Sequence, residues 1–130
     1  MVARWPIPAN GETTMINLVV LEGVLARPAQ DLELPSGSRL LSLEVTVRRE
    51  EGAAESVPVT WFDPPAWAKA LDGGAGVVVF GRVRRRFFRS GGVTQSRTEV
   101  VANRVVRASA TTKVTALLAE ASAALDPSRR

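Results

Sequence analysis

The sequence predicts an all-β domain: a small five-stranded Greek-key barrel, with one short helix between the third and fourth strands and a helical appendage after the fifth. Three observations predict it. Strand-sized runs of alternating or β-branched apolar residues recur between Met15 and Val106. Turn residues separate those runs. A helical period appears only in the short stretch 63–74 and again from Lys113 to Leu125.

Residues 1–14 read as an irregular arm with Trp5, two prolines and a glycine, and Trp5 receives no role. Met15 is an alternative start of the protein. The first strand is Met15–Leu25, where Gly23 marks a bulge or sharp bend and Arg27-Pro28 closes the run. Asp31-Leu32-Glu33-Leu34 leads into the turn Pro35-Ser36-Gly37-Ser38. The second strand, Leu41–Arg49, alternates cleanly: Leu41, Leu43, Val45 and Val47 face one way, Ser42, Glu44, Thr46 and Arg48 the other. A polar loop, 50–55, follows. The third strand, Ser56–Phe62, sets Val57, Val59 and Trp61 against Ser56, Pro58, Thr60 and Phe62, and Pro58 argues for an edge or a bulge.

Asp63 then reads as a helix N-cap, with Pro64 and Pro65 in the first turn and Gly73 at the stop. Trp67 and Leu71, four residues apart, are expected on its buried face. The fourth strand is Val77–Phe88, Ser90-Gly91-Gly92 a hairpin turn, and the fifth strand Val93–Val106. From Lys113 the stripe Val114, Leu117, Leu118, Ala121 and Leu125 defines a helix that needs its own barrel or a neighbour to cover it; Asp126-Pro127 ends it. The domain reading is therefore an arm (1–14), a barrel (15–107) and a helical extension (108–130).

The 130 residues, 45% hydrophobic, suffice for one core. No run is long enough to span a membrane, and the N-terminus lacks a secretory pattern, so a cytoplasmic protein is expected. Cysteine and histidine are both absent, which removes disulfides, thiolate metal sites and the commonest general base. Glu22, Glu44, Asp63 and Asp72 are scattered, and Gly73-Gly74-Ala75-Gly76 lacks the Lys-Ser/Thr of a phosphate loop. The sequence thus predicts no enzyme, metal or cofactor. Charge is the asymmetric property. Arg82–Arg107 holds eight arginines and one acid, Glu99, a net +7 within a chain whose total is +4. That concentration points to a polyanionic partner. Only Lys69 and Lys113 are lysine; arginine, unlike lysine, grips phosphate with two donors and stacks on bases.

The densest part is Gly81-Arg82-Val83-Arg84-Arg85-Arg86-Phe87-Phe88-Arg89. As a strand it carries Arg82, Arg84, Arg86 and Phe88 on one face and Val83, Arg85 and Phe87 on the other. Guanidinium groups beside an exposed ring suit a single-stranded nucleic acid. The other reading is a solvated basic strand with both Phe residues buried at a barrel rim. Phe62 is open in the same way, as a base platform or a core aromatic. Thr60, on the face of Phe62, and Arg48, on the outward face of its strand, complete the candidate set.

Five strands with a short helix between the third and fourth is the order of the oligonucleotide-binding (OB) fold. The chain resembles, more closely, the bacterial single-stranded DNA-binding protein family. Asn17-Leu18-Val19-Val20-Leu21-Glu22-Gly23-Val24-Leu25 is similar to that family's opening strand, and Pro28 follows at the expected distance. Leu34-Pro35-Ser36-Gly37 resembles its first hairpin turn and Leu41–Val47 its alternating second strand. Val57-Pro58-Val59-Thr60-Trp61-Phe62 resembles its strand ending in an aromatic. Gly81–Phe88 is similar to its Gly-x-Leu-Arg-x-Arg-x-Trp, and Thr98-Glu99-Val100-Val101-Ala102 to its last strand.

The resemblance implies that Phe62 and Phe88 stack on bases and that Arg84 and Arg86 contact phosphates or bases. It implies a homo-oligomer paired through the first strand, Asn17–Leu25, with a tetramer favoured over a dimer. Trp61 and Trp67 are expected in the core. There are departures. Ser56 stands where the family has a stacking Trp, Glu50-Glu51 is acidic where another is expected, and Ser128-Arg129-Arg130 replaces an acidic tail tip. The function expected is non-enzymatic single-stranded DNA binding in replication, recombination or repair, without strong sequence preference. Nothing in the chain reads a 2′-hydroxyl, so RNA stays open as a ligand. The alternative is a protein-interaction barrel of a primosome-like or repair complex, with weak nucleic-acid binding.

Overall fold

The computed structural model describes residues 15–126. Trp5, the arm 1–14 and residues 127–130 lie outside them. Six strands, β1 (Val19–Leu25), β2 (Gln30–Glu33), β3 (Arg39–Val47), β4 (Glu55–Phe62), β5 (Gly76–Ser90) and β6 (Val93–Arg107), run in the order β1-β5-β6-β4-β3-β2. A second pairing, of Val24 and Leu25 with Thr46 and Val45 of β3, closes the sheet into a barrel. β1 and β2 are two pieces of one bent path along β3, broken at Arg27-Pro28. Counted as one, they give five strands in the OB order, with β4 and β6 the parallel pair. The short β2, which the sequence presents only as a lead into a turn, is the addition.

The interior is built by the expected alternation. Leu41, Leu43 and Val45 of β3, Val59 and Trp61 of β4, Val77 and Val79 of β5 and Val100, Ala102 and Val105 of β6 share one core with Leu25, Ala68 and Leu71. Pro58 is tolerated because β4 meets β6 only at Val59 and Thr60, so Pro58 lies just outside that ladder. Two glycines are dictated by close approach. A Cβ on Gly23 would lie 2.3 Å from the Thr46 carbonyl oxygen, where β1 crosses β3 to shut the barrel. One on Gly81 would lie 2.2 Å from the Val101 carbonyl oxygen, at a bulge. There Phe80 pairs with Arg104 but Gly81 with Ala102, so Asn103 is an extra residue in β6. Beyond the barrel, β5 and β6 continue as a ribbon to a two-residue turn. Gly91 and Gly92 both take positive φ, 60° and 79°, which such turns require.

The helical segments depart from expectation in detail. The stretch 63–74 forms only a 3-10 helix, Ala66–Ala70, entered from Pro65 without a side-chain cap. Asp63 is not its N-cap; it takes φ 50° and its N–H donates to the Arg39 carbonyl. Leu71 is buried as expected, but Trp67 stays 39% exposed. It meets Trp61 edge-on at 6.0 Å, with the Arg107 guanidinium 5.7 Å from its ring. The C-terminal helix α1, Thr111–Leu125, packs on its own barrel, with Leu117 and Ala121 against Val78, Phe80 and Val106. Leu118 and Leu125 of the expected stripe remain exposed, because the curved sheet meets a strip narrower than the sequence implies. The first strand begins at Val19, not Met15. Asn17 takes a different part: its amide donates to the Val83 carbonyl and accepts from the Val83 N–H, extending the β1–β5 ladder with a side chain.

Candidate nucleic-acid interface

The outward faces of β2, β3, β4, β6 and β5 form one concavity of about 470 Å³. Even-numbered residues point into it from β2–β5, so it follows from strand alternation. One wall is aliphatic, built of Leu32, Leu34 and Leu40. The opposite wall is cationic, built of Arg84 and Arg86 from β5 and Arg97 from β6. Phe62 and Thr60 lie between them, beside Ser42 and Gln30. Phe62 is 36% exposed, which removes the core-aromatic reading.

The cationic wall is organised by Glu99. This carboxylate is only 3% exposed. Its Oε2 accepts from Arg84 Nε at 3.1 Å and from Arg84 Nη2. Its Oε1 lies 3.6 Å from Arg86 Nε. So held, the Arg84 guanidinium sits 5.5 Å from the centre of the Phe62 ring, and that of Arg86 5.1 Å from Phe88. Arg97 lies directly across from Arg86, and its side chain has no hydrogen-bond or ion-pair partner among the described residues.

The aliphatic wall is pinned from behind. Arg39 donates to both carboxylate oxygens of Asp31, at 3.1 and 2.9 Å, tying β2 to β3, and Lys69 adds a longer contact at 3.7 Å. The hydrogen bonds from Arg39 hold the Asp31 carboxyl below its ordinary value, against the opposing effect of burial.

The structure thus brings Thr60, Phe62, Arg84 and Arg86 together, with Phe88 attached through Arg86. It does not bring in the other two. Arg82 shares their strand face but falls short of the concavity, next to Val101. Arg48 follows the end of β3 and lines a separate depression with Thr46, Arg49 and Gly52, because β3 coils around the barrel. Ser56 lies at the far end of β4 from Phe62, paired with Thr46. Phe87, on the opposite face of the ribbon, is 67% exposed.

Sequence reasoning misses Arg97, the role of Glu99 and the aliphatic wall. The first two are within its reach. Counting outward from the Ser90–Val93 turn pairs Arg86 with Arg97 and Arg84 with Glu99. The wall stays hidden because β2 reads only as a lead into a turn.

Among the described residues no cluster of acids fit to hold a metal occurs, and no helix is long and apolar enough to cross a membrane. The strands and their order define an OB-fold barrel with an arginine-walled groove on its outer face. No protein-family model and no curated protein matches the chain. Among solved structures it is similar to the wild-type single-stranded DNA-binding protein from Thermus aquaticus, with a TM-score of 0.59 and 26% identity. The match covers 71% of this chain and 40% of that one, so the chain spans well under half of that protein. The chain is a divergent protein similar to the bacterial single-stranded DNA-binding family.

Proposed function

We propose that the chain is a non-enzymatic single-stranded DNA-binding protein of replication, recombination or repair. The observation that carries this is the groove itself: an exposed Phe62 beneath Arg84, between an aliphatic and an arginine wall. Bases pack against the ring and the leucines, while guanidinium groups meet the backbone. Stacking on the ring and packing on the leucines do not distinguish one base from another, so little sequence preference is expected. A duplex keeps its bases stacked and fits such a groove poorly.

The protein works as a homo-oligomer in this reading, a tetramer before a dimer. Val19–Gly23 pairs with β5 on one edge only, which leaves backbone groups of β1 for a second copy. Repeating the groove by symmetry lets one strand engage several weak sites. The test is fluorescence anisotropy with labelled oligo(dT), repeated with a duplex of equal length. Saturable binding of oligo(dT), with markedly weaker duplex binding, is expected. Equal affinity for the two would reduce the groove to a nonspecific basic patch. No binding of either would favour a protein-interaction barrel, for which the exposed Phe87 and Val83 offer an apolar surface.

A further inference from the structure

Glu99 is the one buried charged residue among those described. Burying a carboxylate is costly unless it is paired. Placing one under a groove meant for a polyanion also weakens the groove's attraction. The bonding pattern gives it a purpose. Glu99 Oε2 accepts from both Nε and Nη2 of Arg84. That side edge of the fork is one with which arginine grips two phosphate oxygens at once. Arg86 has its Nε turned to the same carboxylate. Arg84 keeps 32% of its side chain exposed, and its guanidinium carbon lies over the Phe62 ring, 5.5 Å from its centre. A guanidinium is planar and stacks on bases. Arg97, in the same wall, keeps all its donors free among the described residues.

We propose that Glu99 is a specificity-setting positioning residue: it occupies the phosphate-gripping edge of Arg84 and engages Arg86, so that these two present base platforms while Arg97 takes the phosphates. The proposal rests on the reading of the groove as a single-strand site and goes beyond it by dividing the arginines between two tasks.

The experiment compares oligo(dT) with an abasic strand of the same length, over a salt series, for the full chain and its variants. Wild type binds oligo(dT) well and the abasic strand poorly. Glu99→Gln, of nearly the same shape, removes the charge and leaves the Arg84 fork only a neutral amide oxygen, which a phosphate displaces. Its salt slope steepens by about 0.7 for each further phosphate that the freed fork neutralises. Its abasic affinity rises about tenfold relative to oligo(dT), the order expected for one charge-assisted hydrogen bond. Glu99→Asp, which keeps the charge, stays near wild type. Arg84→Gln leaves the salt slope unchanged while lowering oligo(dT) affinity, and Arg97→Gln flattens the slope by about 0.7. The arginine pair decides the matter even if Glu99→Gln does not fold. An Arg84→Gln slope as flat as that of Arg97→Gln overturns the proposal. So does a folded Glu99→Gln with the wild-type slope and abasic ratio. Failure of wild type to bind oligo(dT) would instead overturn the single-strand reading beneath it.

Discussion

Phe62 ends β4 with its ring in the groove and Arg84 above it, so removing the ring separates binding from folding. Phe62→Ala is expected to cost about 1–3 kcal/mol in oligo(dT) affinity while the melting temperature stays near wild type. Phe88→Ala should lose less, since that ring is half-buried against Arg86 and does not line the concavity. Equal losses for the two variants, read by anisotropy, would contradict this ranking. At this scale the sequence is legible wherever alternation governs. The parity of Val57–Phe62 separates Trp61, 7% exposed, from Phe62, 36% exposed. It is illegible where a partner lies far along the chain. Nothing local to Trp67 announces Arg107, and nothing local to Asn17 announces Val83.

Among the elements, β2 is the shortest strand and depends most on side chains. Four residues pair it with β3, and the Arg39–Asp31 contact reinforces them. Because the folded Asp31 value is lowered, its contribution is complete above the ordinary aspartate value of 3.8 and fades as pH falls through the lower folded one. Asp31→Asn removes that dependence. The stability gap between wild type and Asp31→Asn, measured by urea unfolding, should therefore shrink below about pH 4. A gap constant with pH would mean that the pair does not hold β2. The helix α1 is secured differently, by Leu117 in full burial over β5 and β6. Leu117→Ala should cost about 2–5 kcal/mol, against little for the exposed Leu118→Ala, in denaturant midpoints. The helical period of 113–125 is plain in the sequence; its width is not, since the curvature of the sheet sets how much of a stripe is covered.

For the whole molecule, the barrel closes on itself, so the β5–β6 ribbon beyond Arg84 and Glu99 is the part without flanking strands. The succession of strands along the chain is readable from turn residues and alternation. The ring closure through Val24 and Leu25 is not, because it joins residues about twenty apart by the close approach of β3 to Gly23. The open length of β1 bears on assembly. Light scattering at micromolar concentration should show an oligomer, and a charge such as Val20→Glu on the exposed side of β1 should lower its mass. A stable wild-type monomer would refute the paired-edge reading and imply weaker binding of long strands.

The extra residue Asn103 behaves like a shift of reading frame within β6. Before it, even-numbered Val100 and Ala102 face the core and odd-numbered Glu99 faces the groove. After it, odd-numbered Val105 faces the core and even-numbered Val106 meets α1. The two halves of the strand obey opposite counts, and only the inserted residue reconciles them. Substitution and deletion at this one position should therefore differ in kind. Asn103→Ala, at an exposed site, should melt near wild type. Deleting Asn103 removes the bulge and leaves one unbroken alternation, with Val100, Ala102 and Val105 still on the core face and Arg104 still opposite Phe80. What is lost is the local bend and added twist that the bulge gives β6, and the melting temperature should fall accordingly. A deletion variant that melts within a few degrees of wild type and still binds oligo(dT) would show that the barrel does not need that bend.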